Sequence, residues 1–374
     1  MIYRKFQDLE VSWLAMGTMR LPDSEKSVDE EHVQRMVDYA IEKGVNYFDT
    51  GYDYHLGKSE VVIGKSLSKY PRDSYFLVDK FPGYNLKNFD KVEEIFEEQM
   101  ERCGVDYFDF YLFHNVCELN IEKYLDPQYG VRDFLVKQKE AGRIKHLGFS
   151  AHGEYDVLKQ FLEAYGEDVE FAQIQLNYLD YRFQNAKAKL ELLHEYGLPV
   201  MVMEPMRGGR LANLSEGQAA RLKALRPDES IPAWAHRYLQ GFLEVVTVLT
   251  GASSLEQLAE NIAIFEEDKP LTETEMATLN EIVDELMNEN TVPCTACHYC
   301  DGHCPMDLDI PRLLGLYNEH SFTGGGFIAP FVIRTIPEDK RPDKCIGCGA
   351  CQLVCPQKVE IWKTMGKFAN MLKK

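Results

Sequence analysis

From its first residues to about position 288 the chain alternates two hydrophobic rhythms. Short runs rich in β-branched and aromatic residues, SWLAMG, VNYFDT, YFLVDK, FDFYLFH, IKHLGFS, FAQIQLN, PVMVME and VVTVLTG, read as strands beginning at residues 12, 45, 75, 108, 144, 171, 199 and 245. Between them lie longer stretches with apolar positions at helical spacing, such as VDEEHVQRMVDYAIEKG, KNFDKVEEIFEEQMERCG and SLEQLAENIAIFEED. Their acidic first turns and the Gly or Pro near several ends are helix boundary signals. Eight strand–helix units in succession predict an α/β fold, a closed parallel (β/α)8 barrel of the TIM type over residues 1–288. A doubly wound open sheet competes, and it is weakened because no Gly-x-Gly-x-x-Gly follows a strand. GKSEVVIGKS at 57–66 resembles a phosphate-binding loop, but its glycines enclose six residues where four are required, and it sits within a helical pattern.

The polar residues that close these strands point to chemistry. Asp49 ends VNYFDT, Lys80 ends YFLVDK, His114 ends FDFYLFH, and Tyr54 follows in the loop GYDYH. A parallel barrel gathers all four at its C-terminal mouth, where such folds keep their active sites. Singly, each is more often structural: an ion pair, a packed ring or a satisfied polar group. Jointly they make a proton-transfer set. A free phenol has a pKa of about 10, so Tyr54 needs Lys80 nearby to favour its phenolate and Asp49 to hold that ammonium charged. His114 is then placed to donate a hydrogen bond to a carbonyl oxygen.

At 374 residues the chain exceeds one average domain, and 45% hydrophobic with 27% charged content describes a globular protein. The net charge of −19 and pI near 5.0 oppose phosphate backbones and anionic lipid, so neither a nucleic-acid nor a membrane partner is expected. The N-terminal MIYRKFQDLE lacks the apolar core of a signal peptide, and no stretch approaches 18 uninterrupted apolar residues. A cytoplasmic protein is the expectation. In that reducing compartment clustered cysteines are ligands sooner than disulfides.

Eight of the ten cysteines fall in two cassettes, CTACHYCDGHCP at 294–305 and CIGCGACQLVCP at 345–356. Each reads Cys-x-x-Cys-x-x-Cys-x-x-x-Cys-Pro, the bacterial ferredoxin spacing that wraps three corners of a 4Fe-4S cubane. Zinc is the alternative, but it favours isolated pairs and leaves the third evenly spaced cysteine and the Cys-Pro unexplained. About forty residues separate the cassettes, and DLDIPRLLGLYNEHSF between them reads as helix. Residues 289–374 therefore resemble a helical dicluster ferredoxin domain, giving the fold a smaller, mainly helical, ferredoxin-like C-terminal part. In two-cluster ferredoxins the fourth cysteine serves the other cluster. That resemblance implies one 4Fe-4S cluster on Cys294, Cys297, Cys300 and Cys355, and a second on Cys345, Cys348, Cys351 and Cys304. Cys103 and Cys117 stand outside both cassettes and read as buried, unreactive thiols.

The blocks FDTGYDYHLGKSEVVIGKSL, LVDK, LFHN, LGFSAH, QIQLNY, MEPMRGG and LTGASSLEQLAENI stand in the order and approximate spacing of the aldo-keto reductase superfamily, which residues 1–288 resemble. The resemblance implies an NAD(P)-dependent oxidoreductase moving hydride between nicotinamide and a carbonyl or alcohol substrate. Tyr54 would be the general acid–base, Lys80 and Asp49 would tune it, and His114 would orient the carbonyl oxygen. It also implies cofactor contacts at Thr18, Met19, Ser150, Gln173, Met203, Arg207, Gly251, Ser253, Gln257 and Asn261. Ser150 and Gln173 stand where relatives hold the nicotinamide carboxamide. Ala151 replaces the Asn that commonly follows that Ser, with His152 the candidate substitute. Met203 takes the usual place of a stacking aromatic ring. Gly251 and Gln257 stand where many relatives place Lys and Arg, which leaves NAD and NADP both open; Arg207 and Arg210 are the remaining cations for a 2′-phosphate.

The two halves pose a physical problem, because hydride carries two electrons and each cluster exchanges one. Three readings follow: hydride chemistry with structural or sensory clusters, electron exchange with a ferredoxin or flavoprotein partner through an unseen cofactor such as flavin, and a nicotinamide-binding redox sensor with slow turnover. The substrate is not legible, since KFPGYN and HNVCELNIEKYL suit a sugar, an aliphatic aldehyde or an aromatic ketone equally.

Overall fold

All eight expected strands form, each within a few residues of its run: β1 (Leu14–Gly17), β2 (Tyr47–Asp49), β3 (Phe76–Phe81), β4 (Phe108–Val116), β5 (Ile144–Ala151), β6 (Ala172–Gln175), β7 (Val200–Met203) and β8 (Val245–Thr250). In the computed structural model, which describes residues 1–24, 27–288, 291–294, 297–326 and 328–373, they pair in parallel and in chain order into a closed barrel. Closure runs through β8 and β1, with Val248, Leu249 and Thr250 opposite Leu14, Ala15 and Met16. Both faces of these strands are covered, which is why they read as continuous apolar runs instead of alternating ones. Among the described residues no helix is long and apolar enough to cross a membrane.

An antiparallel hairpin, Tyr3–Phe6 paired with Leu9–Ser12, precedes the barrel and was not legible as such in the sequence. Its Phe6 and Val11 join Ala15, Tyr47, Phe110 and Phe171 in one buried apolar cluster. The Phe6 ring lies 5.2 Å from Phe110 and 5.9 Å from Phe171. Those partners sit toward the N-terminal ends of their strands, so the hairpin stoppers the bottom of the barrel and leaves the opposite mouth for chemistry.

The segment that resembled a phosphate loop forms the helix Lys58–Leu67, entered through Gly57 in the left-handed region (φ 82°). Its second glycine serves packing: a Cβ at Gly64 would stand 2.2 Å from the Cys103 carbonyl oxygen, so only glycine lets this helix approach Val92–Cys103. That neighbour was expected as one helix from Lys87 and instead begins as a 3-10 turn, Leu86–Lys91.

The chain divides into two compact units, Met1–Leu279 and Asn280–Lys374. The second has its own core, in which Leu313, Leu314 and Tyr317 of the helix Ile310–Thr323 pack with Met365 and Phe368 of Ile361–Met371. The former helix starts where the sequence signals it, with Asp309 accepting the Arg312 backbone N–H at 3.1 Å and Pro311 in its first turn.

Candidate functional site

Asp49 closes β2, Lys80 lies next to last in β3, His114 lies in β4, and the loop after β2 carries Tyr54. The barrel brings all four together. Lys80 Nζ donates to Asp49 Oδ1 at 2.7 Å and to the Thr50 carbonyl oxygen. The same ammonium lies 5.4 Å from the centre of the Tyr54 ring. Tyr54 and His114 meet edge to face, their centroids 6.1 Å apart. Gly51 makes room for this arrangement, because a Cβ there would come within 3.0 Å of the Tyr54 ring. Tyr84, in the KFPGYN loop, packs edge-on against His114 at 5.0 Å while its hydroxyl donates to Asp53 at 2.8 Å. In the sequence only its place in a loop after the Lys80 strand hinted at this position.

Burial sets the protonation states. It raises the Tyr54 phenol above its ordinary value, Lys80 draws it back and Asp49 adds to the rise. The net direction is upward, so Lys80 does not bring this phenol toward neutrality by itself, and Tyr54 stands as a proton donor. Burial also works to lower the Lys80 ammonium, but Asp49, Tyr54 and Asp79 raise it on balance. Burial raises the Asp49 carboxyl while Lys80 pulls it down. The 2.7 Å contact is best satisfied with both ionised, since neutralising either would strand the other's charge. His114 is held well below the ordinary imidazole range by burial, with Lys80 and His152 adding to the effect. It is therefore neutral, and its buried Nδ1 has no hydrogen-bond partner among the described residues.

Behind Lys80 lies a second ionisable group that the sequence did not disclose. Asp79 is fully buried and accepts the Lys80 backbone N–H at 2.8 Å. Burial and the neighbouring Glu60 push its carboxyl well up, and its hydrogen bond to Glu60 fits a proton carried on Asp79. Glu60 in turn accepts from Arg102 at 2.8 Å. Gln99 donates to the Lys80 carbonyl at 3.0 Å and is itself fixed by the Tyr111 hydroxyl.

The expected cofactor positions differ in what they are free to do. Ser150 and Gln173 are neighbours across the β5–β6 pairing. Ser150 Oγ accepts the Asn115 N–H at 2.8 Å. The Gln173 Oε1 is buried without a hydrogen-bond partner among the described residues, so the pair fits a carboxamide that needs an acceptor for its N–H. His152 is held to about 4 by burial and Lys189, and its ring hydrogen-bonds the Gln175 side chain. Thr18 is buried and spent on bracing β2, donating to the Asp49 carbonyl at 3.0 Å and accepting from Ser59 at 2.7 Å. Met19 is half exposed. Met203 ends β7 opposite Gln175. Ser254 caps the helix Leu255–Ile264, Gln257 folds back to accept the Ser253 N–H at 3.0 Å, and Asn261 donates to Thr250 Oγ1 at 2.7 Å.

Arg207 is buried with its guanidinium against the Asp180 carboxylate and 5.0 Å from the Phe183 ring. Its charge is compensated from within, which does not suit the phosphate role expected of it. A different arginine stands beside these loops: Arg20 donates to the Gly208 carbonyl at 3.3 Å, and its Cδ would be 3.4 Å from a Cβ on Gly251.

In the second unit Cys294, Cys297, Cys300 and Cys355 line one hollow of about 310 Å3, open mouth included, with Pro311, Leu314 and Ile361. Cys304, Cys345 and Cys348 surround Cys351, whose thiol is pushed up to about 11 by burial and by these neighbours. Burial likewise pushes Cys300 up to about 11. Thiols held neutral in this way need a cation to become thiolates, and an iron–sulfur core supplies it. Among the described residues no group of three or more His, Cys, Asp or Glu side chains is spaced to hold a single metal ion. The cassettes repeat in backbone as well as sequence. His298 and Gly349, each following the second cysteine, are both left-handed (φ 61° and 76°). Asp307 and Lys358 share φ 53° and donate their N–H to the Cys304 and Cys355 carbonyls at 2.8 and 3.1 Å. Ile310 and Ile361 then each open a helix.

Comparison with known proteins separates the same two parts. Residues 13–284 match the aldo/keto reductase family and residues 293–360 the 4Fe-4S dicluster domain. The chain is 25% identical over 302 residues to an NADH-specific methylglyoxal reductase of Escherichia coli (strain K12), covering 68% of this chain and 90% of that protein. It is 25% identical over 295 residues to an L-galactose dehydrogenase of Arabidopsis thaliana, covering 73% and 90%. Among solved structures, aldo-keto reductase AKR11C1 from Bacillus halodurans (holo form) superposes with a TM-score of 0.62 at 27% identity, covering 75% of this chain and 96% of that one.

Proposed function

The chain belongs to the aldo/keto reductase family, and from that premise we propose that it interconverts a carbonyl and an alcohol using NAD or NADP, while its C-terminal domain holds two 4Fe-4S clusters. The observation that carries this reading is the buried Lys80–Asp49 ion pair set beneath Tyr54, with neutral His114 at the ring's edge. The names of the relatives, a methylglyoxal reductase and an L-galactose dehydrogenase, span both directions of this reaction class.

Reduced nicotinamide, when bound, would supply hydride for the carbonyl carbon. Ser150 and the unpartnered Gln173 Oε1 would hold its carboxamide. The proton comes from Tyr54, whose raised pKa keeps the phenol protonated until negative charge builds on the substrate oxygen. Lys80, kept charged by Asp49, stabilises the phenolate left behind, and His114 donates an N–H to the substrate oxygen. In the oxidative direction Tyr54 takes the proton back.

The eight cysteines suit cluster ligation as two crossed quartets, with Cys297 and Cys348 exposed. That exposure favours, as a second reading, exchange of single electrons with an outside protein over a buried structural staple. Tyr54→Phe tests the main reading: carbonyl reduction should fall by about 10²–10⁴-fold with nicotinamide affinity unchanged. Full retained activity would remove Tyr54 from the role and the reading with it.

A further inference from the structure

We propose that the face formed by the second cassette and the C-terminal helix is the docking surface for a small, acidic, one-electron carrier protein. This inference rests on the reading of the eight cysteines as cluster ligands, and it begins from an asymmetry of charge. Counting side chains alone, before the negative charge that a thiolate-bound cluster adds, residues 337–374 hold eight Lys or Arg against four Asp or Glu, a net of +4, so the remaining 336 residues of a chain at −19 sum to −23. An acidic protein is opposed by the charge of the rest of the chain and favoured by that of this segment.

The basic residues gather around the cassette. Lys344, next to Cys345, pairs with Asp343 at 2.7 Å, and Lys373 acts on the same carboxylate. Arg341 lies close enough to Lys344 to affect its charge. The helix Ile361–Met371 buries Ile361, Thr364, Met365 and Phe368, which turns Trp362, Lys363 and Lys367 outward. Lys363 Nζ stands 5.6 Å from the Trp362 ring. Lys358, three residues after Cys355, is exposed as well.

Within this basic rim the cassette presents bare apolar tips. Ile346 follows Cys345 and is 63% exposed, Leu353 lies between Cys351 and Cys355 and is 89% exposed, and Cys348 itself is exposed. Large aliphatic side chains left in water on loops that hold cluster ligands contribute nothing to the core. They do form the dry centre that a weak, transient redox contact needs, encircled by charges that set orientation and on-rate. The place of these tips, between the cluster ligands, would bring a docked partner up against the cluster itself, which favours a redox protein over a nucleic acid or a lipid surface.

The test uses the full-length, cluster-loaded protein under anaerobic conditions, with an acidic bacterial two-cluster ferredoxin as probe and calorimetric titration as readout. Binding is expected at about 50 mM salt and should weaken at least about tenfold by about 300 mM. Lys344→Glu combined with Lys363→Glu and Lys367→Glu should weaken it at least about tenfold with iron content unchanged. Lys187→Glu, on the barrel surface, should leave it intact. Absence of binding with full iron content overturns the docking surface alone, whereas a chain without iron overturns the cluster reading and the docking surface together. Equal loss from Lys187→Glu overturns it by showing unspecific attraction. Binding of phosphatidylglycerol vesicles, or dimerisation in sedimentation, that is lost in the triple variant while ferredoxin is ignored assigns the face to lipid or to a second copy and likewise overturns it.

Discussion

Lys80 Nζ stands 2.7 Å from Asp49 Oδ1 with both side chains almost wholly shut from water, at 1% and 3% exposure. Such a pair is costly to break from one side only, because the survivor keeps a buried charge with no counter-ion. Lys80→Met should therefore destabilise the barrel by about 3–5 kcal/mol. Adding Asp49→Asn should restore much of that loss while leaving carbonyl reduction abolished. Urea unfolding followed by the fluorescence of Trp13 and Trp234, both buried in the barrel unit, reads the stability. A double variant no more stable than Lys80→Met would mean that the ion pair is not what holds this end of the barrel.

The carboxyl pair behind Lys80 gives an asymmetric expectation. Asp79 carries the proton and Glu60 the charge, the latter held by Arg102 at 2.8 Å. Asn at 79 can donate to Glu60 and accept from the Lys80 N–H, so Asp79→Asn should cost less than about 1 kcal/mol. Glu60→Gln removes the charge opposite Arg102 and should cost about 2–3 kcal/mol. The same unfolding titration compares them, and a reversed order would place the proton on Glu60.

The strands and the tetrad were legible because both are local signals. A parallel strand buried on two faces is a continuous apolar run, and Asp49, Lys80 and His114 each sit at or near the end of one, where the barrel fixes their destination. What escaped reading depends on pairing across the chain. The sequence YRKF–QD–LEVS shows no sustained alternation, so the hairpin that seats Phe6 on Phe110 is set by a hydrophobic cluster of distant residues. Arg207 looked available because its partner Asp180 is 27 positions away. Asp79 looked like an ordinary strand residue until the helix bearing Glu60 was laid against it.

Arg20 inherits the question of the cofactor phosphates. It reaches both the Gly208 carbonyl and the Gly251 loop and is half exposed, with Glu204 no nearer than 4.0 Å. Arg20→Ala should raise the KM for the dinucleotide about tenfold with kcat changed less than about twofold, the pattern of lost ground-state binding. A larger effect on NADPH than on NADH would assign Arg20 to the 2′-phosphate. An unchanged KM for both would exclude it from the cofactor site.

Acid should weaken the barrel through its buried histidines, of which His236 lies outside the tetrad. His236 is fully buried and held to about 4, by burial first. The unfolded chain takes up that proton near pH 6.5 and the folded chain only near 4, so the unfolded state binds more protons between these values. The stabilising contribution is complete above about 6.5 and is lost as pH falls toward 4, at up to about 1.4 kcal/mol per pH unit. His236→Phe should lessen the fall in unfolding midpoint between pH 6.5 and 5, with His114 and His152 still contributing, and an unchanged slope would locate the proton uptake elsewhere.

The crossed ligation proposed above would make the cysteines non-additive in a way that iron analysis can read. Cys355 lines the hollow of Cys294, Cys297 and Cys300, while Cys304 sits with Cys345, Cys348 and Cys351. Replacing Cys294, Cys297 and Cys300 together by Ser should leave about four irons per chain. Adding Cys355→Ser should remove no more, because its cluster is already gone, whereas adding Cys304→Ser should strip the remainder. If each cassette served its own cluster the two additions would exchange outcomes, since Cys304 would be the silent fourth and Cys355 the damaging one. The outcome therefore turns on the order in which two cysteines, each followed by proline, stop mattering.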